Sequence, residues 1–269
     1  MDTKNVHNIT STELWFLFSL HAPAIIIGFP DPTLGFLADE IEGINRRAQD
    51  SLLKKRVITR DANGQWIVHE PIAGWIRSIT APKHSIIIMR HDKGSVDMTR
   101  SFHFTGDQII ALYSEGSDEC TIGPVENTRA IHEFMLEPFL TTVYSDNSDS
   151  PIEISEKDLA KAQSQIEEEQ INQAKETLNS SFIVDEQLNR FVLAMSNPST
   201  RLSLVAFLHR DQAGSLKETK GFSIIAGEQD IWSFRPMNSD LNCVQVSSIT
   251  KVTLENTITT FLPQLEGSS

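Results

Sequence analysis

The feature that most constrains this chain is a unit written twice. Ile72, Trp75, Ile76 and Ile79 fall at the i, i+3, i+4, i+7 spacing of one helix face. Pro82 ends that pattern, and Ser85–Met89 follow as an apolar run of strand type. Leu188, Phe191, Val192 and Met195 repeat the helical face, Pro198 repeats the stop, and Leu202–Leu208 repeat the strand. Ile72 and Leu188, Trp75 and Phe191, and Pro82 and Pro198 each stand 116 residues apart (188 − 72, 191 − 75, 198 − 82). The offset drifts to 122 at Phe139 and Phe261 (261 − 139), as a few loop insertions would make it. The stretch Phe222–Trp232 matches Phe102–Leu112 in character, with Gln108 and Gln229 and Ile110 and Ile231 each 121 apart (229 − 108, 231 − 110). Cys120 and Cys243 take comparable late-strand positions. Such a chain is expected to fold as two similar halves with pseudo-two-fold symmetry, the intramolecular counterpart of an isologous dimer.

Local signals fill in each half. Residues 1–10 are polar and read as unstructured. Ser11 or Thr12 caps a short helix carrying Leu14, Leu17 and Phe18. Ala24–Phe29 reads as a compact strand, closed by Pro30-Asp31-Pro32. Thr33 takes the N-cap position before Leu34, Leu37, Ile41, Ile44, Ala48 and Leu52, the dry side of an amphipathic helix. Asn63-Gly64 between Val57–Arg60 and Gln65–Val68 signals a hairpin. Ser101–Phe104 and Gln108–Tyr113 read as strands about Thr105-Gly106-Asp107, with Glu119–Ile122 a further strand. Asn127 or Thr128 opens a helix through Phe139. Ser145–Pro151 is small, polar and acidic, a linker composition. Ser155-x-x-Asp158 starts a long helix marked by Leu159, Ala162, Ile166, Ala174 and Leu178, with Glu167–Glu169 as a solvated face. Phe182–Val184 echoes Val57–Thr59, and Ser248–Leu262 forms the last helix before a frayed tail, Gly267–Ser269. The reading is an α+β fold of two similar halves, each a mostly antiparallel sheet flanked by helices. Residues 1–144 make the first half, with an extra N-terminal helix and strand, 145–154 the linker and 155–269 the second half; the halves are expected to form one globular unit.

Composition excludes several classes. The formal net charge of −13 repels phosphates over most of the surface, so nucleic acid is not an expected partner. Hydrophobic residues at 39% suffice for a core. Two cysteines without a C-x-x-C pair rule out a disulfide framework and argue against structural zinc. The apolar N-terminal stretch is interrupted by His21 and Pro23 and makes a poor signal peptide. No run reaches the roughly 18 apolar residues of a membrane helix. A cytoplasmic protein without membrane partners is expected.

No catalytic signature occurs. His7, His21, His69, His84, His91, His103, His132 and His209 show no ligand spacing, and His103, alternating with Phe102 and Phe104, is expected to face out of its strand. Asp92 and Asp211 sit at matching turns, where a hairpin Asp explains them better than acid–base work. The glycines mark turns and form no phosphate cradle. Cys120 lies among acids, which raise a thiol pKa, and Cys243 reads as a small apolar residue in a strand. Neither a catalytic residue nor a metal ligand nor a cofactor is assigned, and no binding residue is singled out by pattern. One basic cluster, Arg46, Arg47, Lys54, Lys55, Arg56 and Arg60, lies where a winged helix would place recognition helix Leu34–Leu53 and wing Asp61–Gln65. That gives an alternative, a transcriptional regulator. Asp39, Glu40, Glu42 and Asp50 on the same helix oppose it.

Laid side by side, the halves resemble the EspG family, cytosolic chaperones of type VII secretion. The likeness is carried by Thr12-Glu13-Leu14, by Pro30-Asp31-Pro32-Thr33, and by Ala48 with Leu52–Val57. It continues through the helix–proline–strand unit ending at Arg90, His209-Arg210-Asp211 and the terminal Phe261-Leu262-Pro263. The resemblance implies a quasi-two-fold α+β protein that is not an enzyme. Its implied partner is a helical secretion substrate of the PE–PPE kind, covered at its aggregation-prone tip and held soluble for export. On that reading the loop Arg90–Arg100 and the second-half helices are the expected binding face.

Overall fold

The computed structural model describes residues 7–21, 26–106, 108–114, 118–140, 144, 149–210, 216–237 and 242–262. The first half comprises β1 (His7–Thr10), α1 (Ser11–Ser19), α2 (Ala38–Lys54), β2 (Ile58–Arg60), β3 (Trp66–Val68) and α3 (Ile72–Thr80), then β4 (His84–Asp92), β5 (Met98–Thr105), β6 (Gln108–Ser114), β7 (Glu119–Val125) and α4 (Thr128–Leu136). The second comprises β8 (Ile152–Ser155), α5 (Glu156–Glu167), α6 (Ile171–Leu178), α7 (Asp185–Ser196), β9 (Thr200–Arg210), β10 (Leu216–Ala226), β11 (Ile231–Pro236), β12 (Cys243–Ile249) and α8 (Lys251–Phe261). The first half's strands lie in the order β1-β7-β6-β5-β4 and the second half's in the order β8-β12-β11-β10-β9. The paired strands are antiparallel. The fold is α+β, and the halves repeat each other element for element, with the hairpin β2–β3 added in the first.

The duplication reaches the start of the chain, where the sequence shows only unmatched extra elements. β1–α1 answers β8–α5. His7–Thr10 are ordered by pairing with Glu119–Ile122, so the polar character of that stretch marks an edge strand; residues 1–6 lie outside the described residues. Thr10, rather than Ser11 or Thr12, is the N-cap of α1. Its hydroxyl accepts from the Glu13 N–H at 3.2 Å, and the Glu13 carboxylate accepts from the Thr10 N–H at 2.8 Å. Ser155 caps α5 with its hydroxyl, which accepts from the Asp158 N–H at 3.0 Å and donates to the Asp158 carboxylate at 2.7 Å. Thr10 and Ser155 are 145 apart (155 − 10), far from the offset of the later repeat.

Four local readings need correction. Ile26–Phe29 is a turn and not a strand, while Ala24 and Ile25 lie outside the described residues. α2 begins at Ala38, because the Asp31 carboxylate takes both the N–H and the hydroxyl of Thr33 and holds a turn there. Leu34 and Leu37 therefore stand 84% and 68% exposed. The expected long helix after Ser155 is two, α5 and α6, separated by 168–170. Glu169 takes φ 61°. Its N–H donates to Ile166 O and that of Gln170 to Gln165 O, the paired bonds of a Schellman stop. Phe182–Val184 is irregular chain following a 3-10 turn.

The hairpin register also shifts the alignment of the halves. Thr105 and Gln108 close β5–β6, and the Gly227 N–H bonded to Asp230 O at 2.9 Å closes β10–β11. The offset there is 122 (227 − 105, 230 − 108), so Ile110 answers Trp232 and Leu112 answers Phe234. A one-residue difference matters because it exchanges the faces of a strand. The corrected pairs all lie in the cores beneath the helices.

The chain divides into two compact units. The first takes Met1–Ile87, Met98–Ala130 and Ala206–Thr219; the second takes Ile88–Asp97, Ile131–Val205 and Lys220–Ser269. In the first, α1, α2 and α3 cover Ile110, Leu112, Cys120 and Ile122, with Trp75 and Ile76 buried between. In the second, α5, α6 and α7 cover Trp232, Phe234 and Val246, and Phe191 packs edge-on to Trp232 at 5.0 Å. Trp75 and Phe191 are matching anchors, each removing a large apolar surface from water.

Each unit also holds a tightly constrained position that bears on its sheet. In the first, Gly28, at φ +78°, lies flat on the sheet, where a Cβ would stand 2.6 Å from Ser101 Cβ and 3.2 Å from Ile87 Cγ1. In the second, Arg90 is 92% withdrawn from solvent (8% exposed) and holds the β4 tip. It donates to Asp92 at 2.7 Å, to Glu137 at 2.9 Å and to Phe134 O at 3.2 Å. Burial works against its charge, but the bonds to Asp92 and Glu137 outweigh it and keep the guanidinium above its ordinary pKa.

Candidate functional site

The second unit carries an apolar groove of about 490 Å³, within the range of small ligand sites. Its floor is the half-covered face of β9 and β10. Arg201, Ser203 and Val205 alternate along one strand, and Gly221, Ser223 and Ile225 along the other. Phe234, Pro236 and Val244 continue the same face, as the pairings Ser223↔Phe234 and Pro236↔Val244 require. Leu159 and Gln163 of α5 and Met195 of α7 form the walls. The groove exists because the helices stop short of the strands. Gly221 keeps the floor tight: a Cβ there would meet Leu204 O at 2.8 Å.

Polar groups in the groove are few. The Ser203 and Ser223 hydroxyls bond to each other at 2.9 Å. Arg201 donates to Met195 O at 3.3 Å, serving a carbonyl near the end of α7, and its Nε has no acceptor. Arg90 and Arg190 in the same unit each hold two carboxylates; among the described residues Arg201 holds none. This arrangement can bind, through apolar contact and a few directed hydrogen bonds. It sets no nucleophile beside a base.

The residues weighed for chemistry are placed elsewhere. His103 is fully buried, contrary to the expectation that it faces out. Register sets it on the face of Ile110 and Leu112, beneath the first helical layer, between the hydroxyls of Ser85 at 3.1 Å and Ser101 at 3.0 Å. Asp92 is occupied by Arg90 and by the Thr200 hydroxyl at 2.9 Å. Asp211 and the side chains of His209 and Arg210 lie outside the described residues. The Cys120 thiol is pushed up to about 11 by burial and by Asp118. Among the described residues no three His, Cys, Asp or Glu side chains gather as a metal set. No helix among them is long and apolar enough to cross a membrane.

Three of the six residues of the basic cluster are taken up by partners. Lys55 bonds the buried Glu13 at 2.7 Å, Arg46 bonds Glu42 at 2.9 Å, and Arg60 stacks on Trp66 at 4.1 Å. Of the loop Arg90–Arg100, the base is structural and Val96 is exposed. The sequence does not single out the groove. Its one advance signal is Gln163, a polar residue at a position where α1 carries Phe18 (both eight residues after the cap).

Fold and site together define a duplicated α+β protein with an open apolar groove on its second unit. No protein-family model matches the chain, and no curated protein matches it by sequence. Among solved structures the chain is similar to the Mycobacterium tuberculosis type VII secretion system chaperone EspG5, determined in complex with a PE25–PPE41 dimer. The TM-score is 0.63 over 97% of this chain and 96% of that one, at 12% sequence identity. The shared property is the fold.

Proposed function

We propose that this protein is a non-catalytic, cytoplasmic binding protein that holds a helical export substrate soluble, and that the second-unit groove receives the substrate. The observation that carries the reading is an open apolar groove in a fold shared with a secretion chaperone. The partner expected is a helical secretion substrate of the PE–PPE kind, as in the EspG5 complex. Apolar helix ends of such a substrate aggregate when bare, and a groove with few polar groups covers them without demanding a fixed sequence. The test is capture from the native host by tagged protein, wild type and Ser223→Trp, the latter filling the groove. Wild type is expected to recover a helical secreted protein and the variant to lose it. Equal recovery by both removes the groove from the proposal; recovery of no secreted protein overturns the function.

A further inference from the structure

The repeat makes the first unit a control for the second. Matching caps equate Leu14 with Leu159 and Phe18 with Gln163 (159 − 14, 163 − 18, both 145). The proline offset equates Ile79 with Met195 and Ile87 with Ser203 (195 − 79, 203 − 87, both 116), and the hairpin offset equates Ser101 with Ser223 (223 − 101, 122). Every second-half member of these pairs lines the groove. In the first unit the same place is full. Gly28 lies on Ser101 and Ile87, and Phe29 packs edge-on to Phe18 at 5.5 Å and stacks with Trp15 at 6.4 Å. Ile27 and Phe29 are buried. The filling segment belongs to residues 20–37, the connection from α1 to α2; its counterpart from α5 to α6 is only 168–170. Among the described residues the second unit thus keeps the site and lacks the segment that fills it in the first.

We infer, on the reading that this groove holds the substrate, that the part entering it is a short apolar turn with a glycine or other small residue between bulky ones, the chemistry of Ile26-Ile27-Gly28-Phe29, rather than the side of a helix. Close backbone approach to the floor requires the small residue, as Gly28 shows. The bulky neighbours fill the space under α5. Gln163, replacing Phe18, spends one amide N–H on Glu167 at 3.3 Å and offers its carbonyl and second N–H to the guest's backbone, which a folded-in segment satisfies internally. A helical substrate would present such a turn where two helices meet.

The probe is a synthetic peptide of Ile26–Pro32, titrated into the full-length protein and followed by amide NMR. Shifts are expected at Ser203, Gly221 and Ser223, and about tenfold weaker binding by the Gly28→Val and Phe29→Ala peptides, as for loss of one well-packed contact. No shifts, shifts on another surface, or equal binding by the altered peptides overturns the inference. Ser223→Trp protein, shown folded by its melting transition, is expected to lose the shifts; retaining them also overturns it. The titration needs no export partner. If Ser223→Trp loses the captured substrate yet the peptides show no preference, the occupant's chemistry is wrong and the function stands. If capture fails while the peptides discriminate, the function is wrong and the groove's chemistry stands.

Discussion

The two helical layers are built alike and finished differently. In the first unit Ile27–Phe29, between α1 and α2, lie back on the sheet, and His103 and Ser101 beneath that layer reach 0% exposure. In the second, α5 turns into α6 within three residues, 168–170, and the strands equivalent to β4 and β5 keep a half-open face. Loop length decides between a closed core and a groove. Long insertions in a loop cost little closure entropy, so a duplicated gene can acquire or lose such a plug without losing the fold.

The largest expected contrast is between the paired leucines. Leu14→Ala empties a closed core and is expected to cost about 3–4 kcal/mol, whereas Leu159→Ala at the groove wall costs about 1–2 kcal/mol, because its side chain is only partly buried. Chemical denaturation checks both, and equal losses would break the comparison. Gly28→Val combines an unfavourable φ with a clash against Ser101 and is expected to cost about 3 kcal/mol. Gly221→Ala is expected to cost about 1–2 kcal/mol, since only Leu204 O must yield.

Smaller effects test a feature that the units share. Arg56 at φ 58° and Glu169 at φ 61° occupy the left-handed position after α2 and α5, each in a Schellman stop. Glycine relieves this conformation, so Arg56→Gly and Glu169→Gly are each expected to stabilise by about 1 kcal/mol, read as a raised denaturant midpoint. The smallest effect is one of pH. Burial raises the Glu13 pKa, but hydrogen bonds from Lys55, Ser51 and the Thr10 N–H, with the Lys55 charge, bring it below the ordinary 4.5. A depressed carboxylate contributes stability above its unfolded pKa and loses it as pH falls through the folded value. Glu13→Gln is expected to flatten the acid limb of the stability curve below pH 4.5 and leave its slope near neutrality unchanged.

Much of the scaffold was legible because its signals are local. The helix–proline–strand unit, the Asn63-Gly64 hairpin and the Ser155 cap each depend on a few neighbouring residues. Trp75 and Phe191 were readable as matching core anchors. The failures have one cause. Ile26–Phe29 has strand composition, yet no neighbouring strand pairs with it and it becomes a turn. His103 alternates like an outward residue, but both faces of its strand are covered. Gln108 and Ile110 match Gln229 and Ile231 by residue type, and the hairpin closure moves the match by one, to Asp230 and Trp232.

By itself the sequence determined the repeat, the α+β class and the acidic surface, because periodicity, turn residues and charge are carried by the chain whatever surrounds it. Tertiary structure alone decided that β1–α1 and β8–α5 are counterparts, that Lys55 and Arg46 are taken up by ion pairs, and that one site is plugged while its twin stands open. Those outcomes depend on which distant segment covers which face, and burial is a property of the packed molecule that no single residue encodes.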